Sequence, residues 1–226
     1  MNKLERVRSI IQPGDVINNE GADCIWYKPF NCLLTKTIQF YQKRIFGYDA
    51  DNRSTHSSIY FAEDKVFSAR TPRTLWESLQ ERVDTKFVIY RYTPIAYTDK
   101  HLDIMYNTAL EMLHLPYDVG DLLDIMISTI LGYDNVRRIR WFEFSKRYTV
   151  CSTAVRTIQE KLRKSLEAEG DFSIQRLFDK LNPAKWKEQK LEKFIRTDVE
   201  MTTPAHYANS EYFSGEFKLI CHWREF

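Results

Sequence analysis

Cys151 stands at the head of a run with clear helical periodicity, in Val150-Cys151-Ser152-Thr153-Ala154-Val155. His56 lies almost a hundred residues upstream, in a β-type run reading Ser54-Thr55-His56-Ser57-Ser58-Ile59-Tyr60. A thiol at a helix N-terminus and an imidazole on a strand are the two halves of a thiol hydrolase site. The thiolate is the nucleophile, and a free cysteine is only a few per cent ionised near neutral pH. The partial positive charge of a helix N-terminus and a neighbouring imidazolium each lower the thiol pKa. The free N–H groups of the same helix end suit a developing oxyanion, with the amide of Cys151 as one donor and a second that the sequence does not specify. Each residue also has a plainer reading. Cys151 suits a buried structural position, and His56 suits a hydrogen-bonded strand position. The other histidines, His101, His114, His206 and His222, lack a comparable setting.

The elements that must position this pair follow from periodicity. Leu4, Val7, Ile10 and Ile11 predict a helix over 3–11, ended by Pro13-Gly14, and Asp15-Val16-Ile17 begin an extended piece. Residues 20–32 read as a loop whose Trp26, Tyr27 and Phe30 suit either a cleft wall or a satellite apolar cluster. A helix is expected at 33–46. Strands are expected at 56–61, 65–69 and 86–92, with 62–64 as the loop of a hairpin. Helices are expected at 100–114, 120–131, 151–168 and 173–181, and a last strand at 216–223. In that strand Phe217, Leu219, Cys221 and Trp223 alternate with Lys218, Ile220 and His222. The sum is an α+β fold, helices packed against a mostly antiparallel sheet, in a single domain spanning 1–226 with its core at about 13–221.

Composition narrows the class. With 43% hydrophobic residues in 226, the chain can bury a sizeable core, so disorder is not expected. A net charge of +2 gives no reason to expect a nucleic-acid partner. No apolar run approaches the length of a membrane span, and the charged N-terminus lacks the apolar centre of a secretory signal. The expected location is the cytoplasm, or any compartment reached without a cleavable signal. The four cysteines, Cys24, Cys32, Cys151 and Cys221, are too few for a disulfide scaffold and lack metal-ligand spacing. Cys24 and Cys32 can meet across a loop, but two reduced cysteines is the plainer expectation. No metal or organic cofactor is expected.

Several segments together resemble a known group. Pro13-Gly14-Asp15-Val16-Ile17, Thr55-His56-Ser57-Ser58-Ile59-Tyr60, Val66-Phe67-Ser68-Ala69, Pro116-Tyr117-Asp118, Val150-Cys151-Ser152 and Thr203-Pro204-Ala205-His206-Tyr207-Ala208-Asn209-Ser210 stand in the order seen in the permuted papain-like amidases. These are the YiiX/YebB-like branch of the NlpC-type cysteine peptidase superfamily, related to lecithin:retinol acyltransferase-like enzymes. In papain-type enzymes the nucleophile precedes the base. Here the base comes first, so the resemblance implies a circularly permuted papain-like fold with Cys151 as nucleophile and His56 as base. The third position, usually Glu, His or another polar group on the strand after the histidine, falls on Ser68. Serine accepts a hydrogen bond from an imidazole N–H but cannot balance an imidazolium with a full charge. A three-residue loop at 62–64 pairs 61 with 65, hence 58 with 68, which puts Ser68 on the face of His56. A loop one residue shorter or longer reverses that. Tyr117 falls where the family keeps an aromatic near the nucleophile; substrate positioning and plain packing both fit it. Asp15 reads as fixing a backbone turn.

Two functions follow. One is a cysteine hydrolase of amidase or peptidase type, cleaving an amide or ester through an acyl-enzyme. Its substrate is a peptide, amide or acyl ester, and a lipid acyl hydrolase or acyltransferase belongs to the same chemistry. The other is a catalytically inactive binding or structural module of the same fold, with the Lys- and aromatic-rich segment 180–196 as a candidate partner surface.

Overall fold

The computed structural model describes residues 2–21, 29–47, 51–117, 149–178, 202–213 and 215–226. Six strands pair antiparallel into one sheet: β1 (Val16–Glu20), β2 (Ser54–Tyr60), β3 (Lys65–Arg70), β4 (Arg73–Ser78), β5 (Phe87–Tyr92) and β6 (Phe217–His222). Their order across the sheet is β4-β3-β2-β1-β5-β6. The helices are α1 (Lys3–Arg8), α2 (Pro29–Phe46), α3 (Leu79–Val83), α4 (Asp99–Glu111), α5 (Cys151–Ala168) and α6 (Pro204–Ala208). The α+β expectation is met at this level.

Helices cover both faces, so the central strands carry apolar residues at successive positions rather than at alternate ones. On one face Val16, Ile59, Phe67 and Tyr90 pack with Phe46 of α2, Met105 of α4, Val155 and Ile158 of α5, and Tyr207 of α6. On the other, Ile17, Tyr60, Val66 and Ile89 pack with Val7 of α1 and Leu79 and Val83 of α3. Helix α5 spans the residues its periodicity predicts, burying Val155, Ile158, Leu162 and Leu166. Gly170, at φ +85°, follows its end.

Asp15 builds the turn into β1. Its Oδ2 accepts from the Gln12 N–H at 2.8 Å, and both carboxylate oxygens accept from Arg91 at 2.8 Å. Asp15 is 1% exposed. Burial pushes its carboxyl above the ordinary value, outweighing the hydrogen bonds from Arg91 and the Gln12 backbone. Gly14 beside it has φ +92°, and a Cβ there would lie 2.4 Å from the Tyr97 ring. Asp15→Ala is therefore expected to cost about 1–3 kcal/mol, because it removes a buried carboxylate that holds the Gln12 N–H and the partly exposed Arg91 guanidinium. Urea unfolding at unchanged slope measures this. A loss under about 1 kcal/mol would mean that the pair behaves as a surface ion pair.

Several expectations need correction. Residues 71–85, for which no element is expected from the sequence, form β4 and α3; in β4 only Leu75 and Trp76 are apolar. Helix α2 starts at Pro29, four residues before the expected start. The helix expected at 173–181 is absent over 173–178, which form turns and bends. In β6 the register slips between Ile89 and Tyr90, so two residues of β6 oppose one of β5. That bulge breaks the alternation and leaves Leu219 56% exposed. Cys32 is disulfide-bonded rather than reduced. Among the described residues, Cys151 and Cys221 are the free thiols. The helix expected at 120–131, the residues Trp26 and Tyr27, and the segment 180–196 lie outside the described residues. No helix among the described residues is long and apolar enough to cross a membrane.

Candidate active site

Cys151 is the first residue of α5, and the N-cap position, Val150, is extended and offers no side-chain hydrogen bond. The first N–H groups of the helix are thus not satisfied by a cap. The sulfur is nearly buried, and its S–H faces the Thr55 carbonyl at 3.9 Å. Burial raises the thiol pKa; hydrogen bonds from the backbone of Ser57 and Ser152 and from the side chains of Tyr117 and Ser152 oppose this without reversing it. A helix N-terminus alone predicts a depressed thiol, and desolvation overturns that expectation. The room at the sulfur is about 20 Å³, enough for one water, between Tyr41 of α2 and the Thr203-Pro204 start of α6.

His56 and Ser68 meet. The hairpin loop has the expected three residues: the Phe61 N–H donates to the Lys65 carbonyl at 2.8 Å. Ser58 therefore pairs with Ser68, which places the Ser68 side chain on the face of His56. His56 Nε2 lies 2.8 Å from Ser68 Oγ. With Nε2–H donating to the hydroxyl, Nδ1 carries the free lone pair of a base. Burial, then the positive charges of Arg82 and Arg70, push the imidazole pKa down to about 3. Ser68 is 1% exposed, so Ser68→Ala leaves the ring nitrogen without water in its place. We expect that change to cost about 0.5–1.5 kcal/mol and to lower kcat far less than loss of the ring. Equal losses in Ser68→Ala and His56→Ala would make the hydroxyl indispensable instead.

The structure does not join the thiol to the imidazole; no hydrogen bond links Cys151 Sγ and His56. The reason lies in the faces of β2. Ile59 packs under the helices, and the Ser57 hydroxyl donates to Asn18 Oδ1 on that side, where Asn18 Nδ2 donates to the Pro204 carbonyl. His56 is on the opposite face with Ser68 and Tyr60. Thr55 is the bulged residue between them, since Asn19 pairs with His56 while Glu20 pairs with Ser54. The bulge takes Thr55 out of the ladder, and its carbonyl is the one that meets the sulfur.

Tyr117 bridges the two halves. Its backbone N–H donates to the Pro72 carbonyl at 2.9 Å, and it forms an isolated parallel bridge with Thr149, two residues before the thiol. Its phenol reaches Cys151, and Tyr117 also lines the cleft that holds His56, a space of about 460 Å³. Thr55 borders both this cleft and the pocket at the sulfur. Sequence reasoning did not identify Thr55, Arg70 or Arg82 as site residues. The hairpin register that selects Ser68 also points to Arg70 opposite His56. Nothing in the sequence signals Arg82.

The arrangement brings together a buried thiol whose pKa is raised, an imidazole hydrogen-bonded to Ser68 whose pKa is lowered, and a phenol that reaches the thiol. Among the described residues, no group of three or more His, Cys, Asp or Glu side chains is placed to hold a metal ion. No family model matches the chain, and no curated protein matches it. Among solved structures, the fold is similar to one described as the metalloprotein YiiX from Escherichia coli O157:H7. The identity is 16% and the TM-score 0.50, over 94% of this chain and 98% of the other.

Proposed function

We propose that the protein is a thiol-dependent hydrolase of amide or ester bonds, on a permuted papain-like fold, with Cys151 as nucleophile and His56 as base. The observation that carries this reading is the 2.8 Å His56 Nε2–Ser68 Oγ hydrogen bond, which leaves Nδ1 as a base in the tautomer with the proton on Nε2, on the strand whose bulge touches the Cys151 sulfur. The ordered motifs and the fold likeness to YiiX support the family part of the reading.

The resting site is a neutral pair, so the reaction begins with general-base catalysis rather than with a stored ion pair. In the resting structure the sulfur meets the Thr55 carbonyl and not the imidazole, so the S–H proton reaches His56 only if the Thr55 bulge shifts and brings the two to one side of β2. The S–C bond forms at the substrate carbonyl, whose oxygen takes the negative charge. The Cys151 amide at the helix start and the Tyr117 phenol, which reaches the sulfur, are the donors assigned to that charge. Collapse breaks the bond to the leaving amine or alkoxide, which takes the proton from His56. Water, deprotonated by the same ring, then releases the acid from the thioester. The YiiX structure is called a metalloprotein; among the described residues of this chain no group of three or more His, Cys, Asp or Glu side chains is placed to hold a metal ion.

A second reading has its own support. A hydroxyl in the third position, a thiol turned to a backbone carbonyl and an imidazole hard to protonate all fit an inactive module of the same fold. Incubation with iodoacetamide, followed by peptide mass mapping, separates the two. Cys221 is the internal control, since burial pushes its thiol up to about 12. The hydrolase reading expects Cys151 to be labelled first and to form a thioester adduct with a chromogenic ester. Equal labelling of both thiols, with no adduct, would leave the inactive module.

A further inference from the structure

We propose that the cleft beside His56 binds a singly charged carboxylate of the substrate, with Arg82 and Arg70 as the residues that recognise it. This deepens the hydrolase reading and rests on it: the scissile acyl group belongs to an acidic compound.

The argument starts from a charge count. Three cations, Arg70, Arg82 and Lys86, and one carboxylate, Glu20, line the cleft. Glu20 is engaged elsewhere: it accepts from Trp223 Nε1 at 3.4 Å and stands 3.8 Å from Arg53. Behind the cleft, one fully buried carboxylate serves both arginines. Glu77 Oε1 is 2.8 Å from Arg70 Nε and 3.1 Å from Arg82 Nη2. Two guanidiniums on one carboxylate leave a surplus of one positive charge, shared between the buried Arg82 and the half-exposed Arg70.

Arg82 is only 8% exposed, and its Nε–H has no hydrogen-bond partner among the described residues. A buried donor without an acceptor costs about 1–3 kcal/mol, and donors on a guanidinium favour planar oxyanions. A carboxylate in the cleft supplies the missing charge, and it becomes the acceptor of the Nε–H once the Arg82 side chain turns that buried atom toward the cleft. One negative charge balances the Arg70–Arg82–Glu77 group, while Lys86 adds a third cation to the lining and Glu81 stands near Arg82, so the comparison of succinate with phosphate below decides between a carboxylate and a dianion. The consequence reaches the base. The same two arginines oppose protonation of His56. An anion that neutralises them makes it easier for the ring to take the thiol proton, so the correct substrate switches on its own base.

Two measurements test this on the full chain. The first compares alkylation of Cys151 by iodoacetate and iodoacetamide, which differ in the carboxylate. The iodoacetate-to-iodoacetamide rate ratio is expected to exceed that of glutathione by roughly tenfold, and to fall toward it in Arg82→Gln and Arg70→Gln. The second is calorimetric titration of succinate into Cys151→Ala protein, with inorganic phosphate as the comparison. Succinate binding that is lost in Arg82→Gln/Cys151→Ala supports the proposal. Arg70 is half exposed, so its variant carries the test if Arg82→Gln fails to fold. A glutathione-like ratio with no succinate binding overturns the inference while leaving the thiol chemistry standing. A Cys151 inert to both reagents defeats the hydrolase reading, and succinate binding then decides the anion site alone. Phosphate binding in preference to succinate overturns the choice of carboxylate.

Discussion

Cys151→Ala is expected to lower turnover of an ester or amide substrate by at least about three orders of magnitude, because the variant keeps binding and donors but has no atom to form the acyl-enzyme. Folding should be nearly unaffected. The helix gains a strong former at its first position, and the loss is one buried sulfur whose nearest polar contact is a long one to the Thr55 carbonyl. The stability cost is on the order of 1 kcal/mol, a small shift in thermal midpoint. Cys151→Ser is the sharper companion. It restores a polar atom at the site, but the hydroxyl is a far weaker acid than the thiol and the imidazole is backed by the Ser68 hydroxyl rather than by a carboxylate, so its rate should fall close to that of Cys151→Ala. Stopped assays on a chromogenic ester, with melting curves of the same preparations, read both. Substantial turnover in either variant, or collapse of the fold in both, would place the sulfur in the structure rather than in the chemistry.

The order of difficulty in reading this site from sequence has physical causes. The start of α5 was legible because an 18-residue amphipathic run has one solution, with Val155, Ile158, Leu162 and Leu166 on the buried stripe. The Ser68 partner was legible because strand side chains alternate, so a three-residue loop settles the face. The separation of Cys151 from His56 was not. Ile59 and Tyr60 are both apolar because the sheet is covered on both sides, so nothing in β2 says which face meets α5. The bulge at Thr55 was hidden for a similar reason: a one-residue slip leaves no trace in Ser-Thr-His-Ser-Ser. Arg82 escaped because α3 has five residues, too short for a periodic signal. The charge state of the thiol was misjudged because a helix end is a local feature, whereas desolvation depends on what the rest of the chain packs around it.

His56→Ala is expected to lower kcat/KM by about two to four orders of magnitude, the range for a general base, but its signature is in the pH profile. A free histidine loses basicity by protonation near pH 6.5. Here burial and the charges of Arg82 and Arg70 hold the ring neutral down to about 3. The acid limb of kcat/KM should therefore lie well below pH 6.5, while the raised thiol pKa keeps the S–H form present beyond neutral pH. Arg70→Gln gives the sign. Removing a nearby positive charge makes the imidazolium less unfavourable, so the ring pKa rises and the acid limb moves up. It should stop short of 6.5, because burial is the larger cause and Arg82 remains. Glu77 sharpens the contrast: losing it frees both guanidiniums from their carboxylate, so Glu77→Gln should move the limb down. Opposite displacements in these two variants require a base that feels both groups, and His56 sits beside them. An acid limb near pH 6.5 that neither variant moves would mean that some other group takes the proton.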